Sequence, residues 1–322
     1  MRRLWHTLRL HRGMVVGAVL VALALAAALF CTWLAPFDPA AQFRQYCAVR
    51  PGSAYSITDT FGVNAASPMA GRRLPAGEAA GRFMLGTDVN GRDILSRLFY
   101  GARVSLLVGL VATVVNLLIG VLVGTAAAYF GGVLDNVLMR VTDVFFAFPG
   151  MLLAIIILAT LNQPAVREAL VSVSGKVDPG IWGLFIALGL TGWTGIARVI
   201  RGQVLSLKEQ EFVEAAKAIG CGHGRIVMLH ILPNCLAPII VLATMQVAYN
   251  ILSEAGLSFL GLGVQPPAAS WGGMLAEGRP FLADMPWWGV YPGLALGATV
   301  LGFNLFGDGL RDYLDPRLRV RF

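Results

Sequence analysis

Charged side chains are scarce in this sequence: only 13% of its 322 residues are Asp, Glu, Lys or Arg. A soluble domain carries roughly 25%. With 57% hydrophobic residues and a mean hydropathy of +0.70, the composition excludes an ordinary soluble protein and points to a polytopic membrane protein. Cysteine is also sparse. Its four copies stand apart: Cys31 and Cys235 in or beside apolar runs, Cys221 in a polar stretch, Cys47 alone in a long polar loop. No spacing reads as a disulfide framework, a metal site or a redox pair, and Cys47 would need a partner on another chain to form a bridge. A phosphate cradle of the form G-x4-G-K-[ST] is missing. The single Gly-Lys pair, Gly175-Lys176, is followed by Val177 and has Leu170 where the first glycine belongs. If ATP drives this protein, another chain hydrolyses it. No Ser/His/Asp or Cys/His arrangement argues for a catalytic centre, so no catalytic, cofactor-binding or metal-ligating residue is assigned.

What the sequence has instead is six uncharged runs long enough to span a bilayer, which takes about 20 residues. They are Met14–Ala35, Val104–Phe130, Val144–Val166, Pro179–Ala197, Ile231–Ser253 and Met285–Gly307. The third is expected to start earlier, near Asn136, with Arg140 and Asp143 at the interface. The first, with 22 apolar-core residues, is longer than a signal-peptide core and reads as an uncleaved anchor. The net charge of +7 anchors loops rather than binding nucleic acid. With the N-terminus inside, inside segments hold 14 Lys and Arg against three in the two short outside loops. The loop Pro36–Arg103 is too long to count. The bias places both termini in the cytoplasm. Gly120, Gly124, Asn116, Gly189, Gly192, Gly293, Gly297 and Gly302 are expected to let helices approach closely. No charged residue falls mid-span, which argues against an ion-coupled carrier.

Between the fourth and fifth runs lies a polar stretch, "EFVEAAKAIGCGHGRIVMLHILPN", Glu211–Asn234. Ser206 and Glu209 have capping-box spacing and predict a helix starting near Leu207. Phe212, Ala216 and Ile219 form a narrow apolar stripe, with Glu209, Glu211, Glu214 and Lys217 on the other faces. Gly220 is suited to end the helix in a left-handed conformation. Ala215 and Ala216 keep one surface thin. A second short helix is expected over about Arg225 to His230. Three Glu against two Lys between Leu207 and Ile219 give little attraction to anionic lipid, so this cytoplasmic helix–turn–helix reads as a protein-docking element rather than a lipid-bound one.

Elsewhere, Asp88, Arg92 and Asp93 in "GTDVNGRD" read as a salt-bridged turn leading onto the second span rather than a cation site. His223 and His230 are separated by glycines at 220, 222 and 224, which argues against a metal pair; His230 is expected to hydrogen-bond at the membrane surface. "FLGLGVQPPAASWGGML", Phe259–Leu275, reads as an external loop dipping toward a pathway. Trp271, Trp287 and Trp288 are expected in an aromatic belt at the interface.

Glu214-Ala215-Ala216, Gly220 and Leu232-Pro233 match the pattern EAA-x3-G-x9-I-x-L-P, with His230 in place of the Ile. This resembles the cytoplasmic signature of permease subunits of binding-protein-dependent ABC importers. The variant His-Ile-Leu-Pro-Asn is similar to the dipeptide/oligopeptide/nickel branch. "APFDP" at Ala35–Pro39, "LGTDVNGRDILSRLFYGARVSL" from Leu85, "LSEAGLSFLGLGVQPPAASWG" at Leu252–Gly272 and "LRDYLDPRLR" at Leu310–Arg319 extend the resemblance over nearly the whole chain; Phe43–Arg82 lies outside it.

The resemblance implies an all-α integral membrane protein with six transmembrane helices, a type I ABC importer permease bundle in the bacterial inner membrane. It implies four regions: a tail and first anchor (1–40), an external loop (41–100), a permease core (101–309) with a coupling loop (198–233), and a cytoplasmic tail (310–322). Implied partners, besides the lipid bilayer, are a second related permease, two cytoplasmic ATPase subunits that bind the ATP and Mg, and an external solute-binding protein. Ser206, Glu209, Phe212, Glu214, Ala215, Ala216, Ile219, Gly220 and His223 would couple to the ATPases. An ion-coupled secondary transporter and a non-transport membrane assembly protein are the competing readings. The solute is not legible: peptides, glutathione-like molecules and nickel chelates all occur in the branch.

Overall fold

The computed structural model describes residues 12–56, 80–166, 168 and 179–314. The N-terminal basic cluster Arg2, Arg3 and Arg9, the loop residues 57–79, Gly175-Lys176 and the end of the C-terminal tail lie outside the described residues. The helices are α1 (Arg12–Leu29), a one-turn α2 (Cys31–Leu34), α3 (Ile94–Phe130), α4 (Gly132–Ala147), α5 (Gly150–Leu161), α6 (Pro179–Thr191), α7 (Trp193–Lys208), α8 (Glu211–Ala218), α9 (His223–Ile226), α10 (Leu236–Phe259), α11 (Trp271–Gly278) and α12 (Pro286–Leu314). Among the described residues five helical stretches are long and apolar enough to cross a bilayer, and six if α4 and α5, bent by 87°, count as one span. The chain is an all-α membrane bundle.

Two spans expected to be single helices are interrupted. Pro149 has no N–H to give the ladder, and the residue before a proline is pushed out of the helical region. Phe148 accordingly has φ −87° and ψ 135°, and α4 and α5 part there. The break sits inside the run that the sequence presents as one span starting near Asn136. The fourth span is interrupted at Gly192 and then continues as α7 to Lys208, well past Ala197. The fifth is preceded by a π turn, Val227–Ile231, and a 3₁₀ turn, Leu232–Cys235, forced by Pro233.

Small residues set the closest helix contacts, as lipid-embedded packing requires. A Cβ on Gly120 of α3 would stand 2.7 Å from the Ile196 Cβ of α7. A Cβ on Gly17 of α1 would stand 2.7 Å from the Gly302 carbonyl of α12. Gly297, by contrast, faces open space. The apolar core runs in adjoining clusters; one joins α3, α7, α8, α9 and the turns before α10 through Ala128, Ile196, Ile200, Val204, Val213, Ala216, Ile226 and Ile231.

At the opposite end, strands β1 (Ser53–Ser56) and β2 (Ala80–Phe83) pair antiparallel with Ser53 opposite Phe83. Phe83 is buried and packs with Phe37, Phe43 and Tyr46 at ring separations of 5.6–5.7 Å. Asp93 caps α3 by accepting from the Ser96 N–H at 2.8 Å, and the Ser96 hydroxyl accepts from the Phe37 N–H at 3.0 Å. The segment after α1 is thereby pinned to the start of α3. Trp271 and Trp288 do not form an interfacial belt: they are 2% and 1% exposed. The Trp271 indole N–H donates to the Leu98 carbonyl at 3.0 Å. Gly272 lets α11 lie against α10, where a Cβ would stand 2.5 Å from the Ala255 Cα; Trp33, at 79% exposed, is the most outward of the described tryptophans.

Candidate functional site

The polar stretch folds as a bent pair of short helices, α8 and α9, beyond the end of α7. α8 begins at Glu211, with Gln210 as its uncapped N-cap residue. The capping box of Ser206 and Glu209 does not form. α7 runs through Ser206 to Lys208 and Glu209 is its C-cap residue. Tertiary packing overrides the local signal here. Ile196, Ile200 and Val204 continue one buried stripe of α7 against α3, and a break at Ser206 would abandon its last turn.

The expected stripe of α8 splits. Val213 and Ala216 face inward and are 0% and 4% exposed. Phe212 and Ile219 turn outward at 40% and 81%. Glu211, Glu214, Ala215 and Lys217 are exposed with them. The inner face is thus one residue away from the Phe212 register, and Ala216 alone of the three belongs to the core. Val213 is the residue that sequence reasoning missed; it stands three residues before Ala216, a spacing that also puts the two on one helix face.

Gly220 ends α8 with φ +81°. Its N–H donates to the Lys217 carbonyl at 2.9 Å and the Cys221 N–H to the Ala216 carbonyl at 3.0 Å, the paired closure of a Schellman end. The expected left-handed glycine is found. The bend delivers His223 to the end of α3: the Tyr129 hydroxyl lies 2.9 Å from His223 Nδ1, and the two rings meet edge-on at 5.7 Å. Lys208 Nζ donates to the Ala128 carbonyl at 3.1 Å, a cation on the last turn of α3. Neither tie is visible in sequence, where the partners stand 94 and 80 residues apart. The His230 carbonyl accepts from Asn234 Nδ2 at 2.6 Å.

α4 is fastened to α7 by two ion pairs. Arg201 grips Asp135 through two hydrogen bonds of 2.7 and 2.6 Å. Arg198 donates to Asp143 at 2.7 Å and lies 4.1 Å over the Phe146 ring.

At the far end of α3, the turn before the helix is salt-bridged, as its charges predict. Arg92 Nε meets Asp88 at 2.6 Å. Both Arg92 and Arg97 donate to one Glu277 oxygen of α11, at 2.6 and 2.9 Å. Glu277 and Arg97 extend the knot in a way the local motif does not announce. Burial pushes the Asp93 carboxyl above its usual range, and its hydrogen bonds with Ser96 offset part of that rise. Among the described residues no group of three His, Cys, Asp or Glu side chains is placed to hold a metal ion.

One expectation about the spans is corrected. α10 runs on to Phe259 and contains Glu254, fully buried. Its carboxylate accepts from the Ser105 and Ser258 hydroxyls at 2.8 and 2.7 Å. The apolar run ended one residue short of it, so the spans are not free of ionisable groups. The serines tie Glu254 to α3 and to the end of its own helix.

Residues 94–320 match the family described as binding-protein-dependent transport system inner membrane component. Residues 1–49 match the N-terminal TM domain of oligopeptide transport permease C. The chain is 37% identical over 320 residues to the di/tripeptide transport system permease protein DppC of Pseudomonas aeruginosa, covering 99% of this chain and 93% of that one. It is 38% identical over 315 residues to the glutathione transport system permease protein GsiD of Escherichia coli, covering 98% and 90%. Against the oligopeptide transport system permease protein OppC of Bacillus subtilis the identity is 42% over 234 residues, covering 73% and 72%. By the length and closeness of these matches, the chain belongs to the family of inner membrane components of binding-protein-dependent transport systems.

Proposed function

We propose that this chain is one of two related permeases that together form the membrane pathway of an ATP-driven importer for short peptides. The peptide assignment leans on relatives whose names carry di/tripeptide and oligopeptide transport. Two ATPase subunits, holding the ATP and Mg, dock from the cytoplasm, and an external binding protein delivers the solute. Both termini then lie in the cytoplasm, as the Lys and Arg distribution favours. The chain then divides into a tail and first anchor (1–40), an external loop (41–100), a permease core (101–309) with coupling loop 198–233, and a cytoplasmic tail (310–322).

In this reading Ser206–His223 is the joint with the ATPases. The observation that carries it is the split face of α8: Phe212 and Ile219 exposed on an element whose opposite side is fused into the core of α3 and α7. Such an element can receive a push and pass it on as a rigid body. Glu214 supplies polar contact, Ala215 close approach, Ala216 the anchor beneath, Gly220 the bend and His223 the tie to α3. Ser206 and Glu209 form the exposed exit from α7. The complete complex in proteoliposomes tests this. Dialanine uptake is expected to require ATP on the side of α8 and to be lost in Glu214→Arg while the protein still reaches the membrane. Uptake driven equally well by an ion gradient without ATP would overturn it.

A further inference from the structure

The two helix interruptions open onto one cavity. The break at Phe148–Pro149 and the break at Gly192 both line a space of about 380 Å³, within the roughly 300–1,000 Å³ of small-ligand sites. Gln246 and Tyr249, near the middle of the 24-residue α10, complete the wall. Irregular backbone at membrane depth is tolerated where it lines a cavity, and in secondary transporters, a different class of carrier, interrupted helices mark the solute site. Phe145, Phe148 and Tyr249 give apolar surface; Thr191, Thr194 and Gln246 give polar groups; no Asp, Glu, Lys or Arg lines the space.

Gln246 is the outermost member of a buried amide ladder. Its Nε2 donates to Asn116 Oδ1 and Asn250 Oδ1, each at 3.2 Å. Asn250 donates to Thr113 Oγ1 and Asn116 Oδ1, each at 3.0 Å. Asn116 donates to the Leu188 and Gly189 carbonyls at 2.9 and 2.7 Å. Asn116 and Asn250 are spent on holding α3, α6 and α10 together, and both Gln246 amide hydrogens are committed. What remains for the cavity is the Gln246 carbonyl oxygen, an acceptor oriented by the ladder.

We infer that this cavity is a solute-contact site within the pathway, taking the uncharged main chain and apolar side chains of a short peptide, with Gln246 accepting a peptide N–H. An acceptor beside aromatic walls reads the amide common to all peptides. The absence of a lining charge leaves the termini without an ion-pair partner and so lets side chains vary. The inference rests on the peptide-import reading above, and the experiment separates the two. If the wild-type complex in proteoliposomes takes up no dialanine with ATP, the import reading itself falls. Given wild-type uptake, Gln246→Leu is expected to slow it by roughly five- to tenfold, the worth of one hydrogen bond. Unchanged uptake overturns the site. Because Gln246 also braces the ladder, a second measurement is needed. Thr194→Cys, in a chain with its four native cysteines replaced, should react with N-ethylmaleimide in the assembled complex and lose that reaction as dialanine saturates transport. Labelling indifferent to dialanine, or a cysteine unreactive throughout because a lipid tail fills the space, overturns the site even if Gln246→Leu is slow.

Discussion

The Tyr129 hydroxyl and His223 Nδ1 lie 2.9 Å apart, joining the last turn of the 37-residue α3 to the bend between α8 and α9. The link is solvent-facing, so it guides more than it stabilises. Beneath it, Val213 and Ala216 share a dry core with Ala128. Tyr129→Phe is therefore expected to cost no more than about 1 kcal/mol, read by thermal unfolding of the purified protein in detergent. Val213→Asp buries an unpaired charge and should prevent recovery of a folded complex.

Gly220 is needed for its backbone, not for space: φ is +81° and no atom lies within 4 Å of a would-be Cβ. Gly220→Val is expected to cost about 1–2 kcal/mol locally and to abolish ATP-driven uptake by reorienting α9. Gly220→Asn, which tolerates the left-handed region, should retain much of it. Equal loss in both would indicate that a partner, rather than the bend, needs the glycine.

Glu277 balances two guanidinium groups that are nearly sealed from solvent, their side chains 6% and 1% exposed. Removing it leaves a positive charge uncompensated. Glu277→Ala is expected to lower stability by about 3–5 kcal/mol and to loosen α11 from α3, measured by thermal unfolding and hydrogen exchange in Trp271–Gly278. The double variant Glu277→Ala with Arg97→Met should recover part of the loss; no recovery would mean that Glu277 acts outside the knot.

Asn116 spans three helices through four hydrogen bonds. Interhelical bonds in lipid average about 0.6 kcal/mol each, and the stranded buried partners add desolvation. Asn116→Leu is expected to cost about 2–3 kcal/mol in detergent unfolding, and Asn116→Asp more, since its buried carboxylate would face the Leu188 and Gly189 carbonyls.

Local physics was legible in the sequence and long-range pairing was not. The glycine end at Gly220 and the i, i+4 ion pair of Asp88 and Arg92 are written within a few residues, and both are found. Pro149 carried a signal too, but an uncharged run long enough to span outweighed it, and the break went unread. The capping box at Ser206 failed because Ile200 and Val204 bury against α3, a contact that no window around Ser206 contains. Glu254 sat one residue outside an apolar run, so its place within α10 was invisible until the helix end at Phe259 was known. Trp271 is interfacial by type; Gly272 beside it, which lets α11 close on α10 at Ala255, is the cue that it goes inside. Glu277 is 185 residues from Arg92, and only the fold unites them.

The central claim, that a motor acts on the bundle through α8, is tested most directly by cross-linking at Ile219, the outermost apolar residue of that helix at 81% exposed. In the assembled complex, with the four native cysteines replaced, Ile219→Cys carrying a benzophenone-maleimide should form a photo-adduct with an ATPase subunit, and ATP-driven uptake should stop as the adduct forms. A complex that transports normally while Ile219→Cys carries a bulky maleimide, and that never yields an adduct with a nucleotide-hydrolysing chain, would contradict the account.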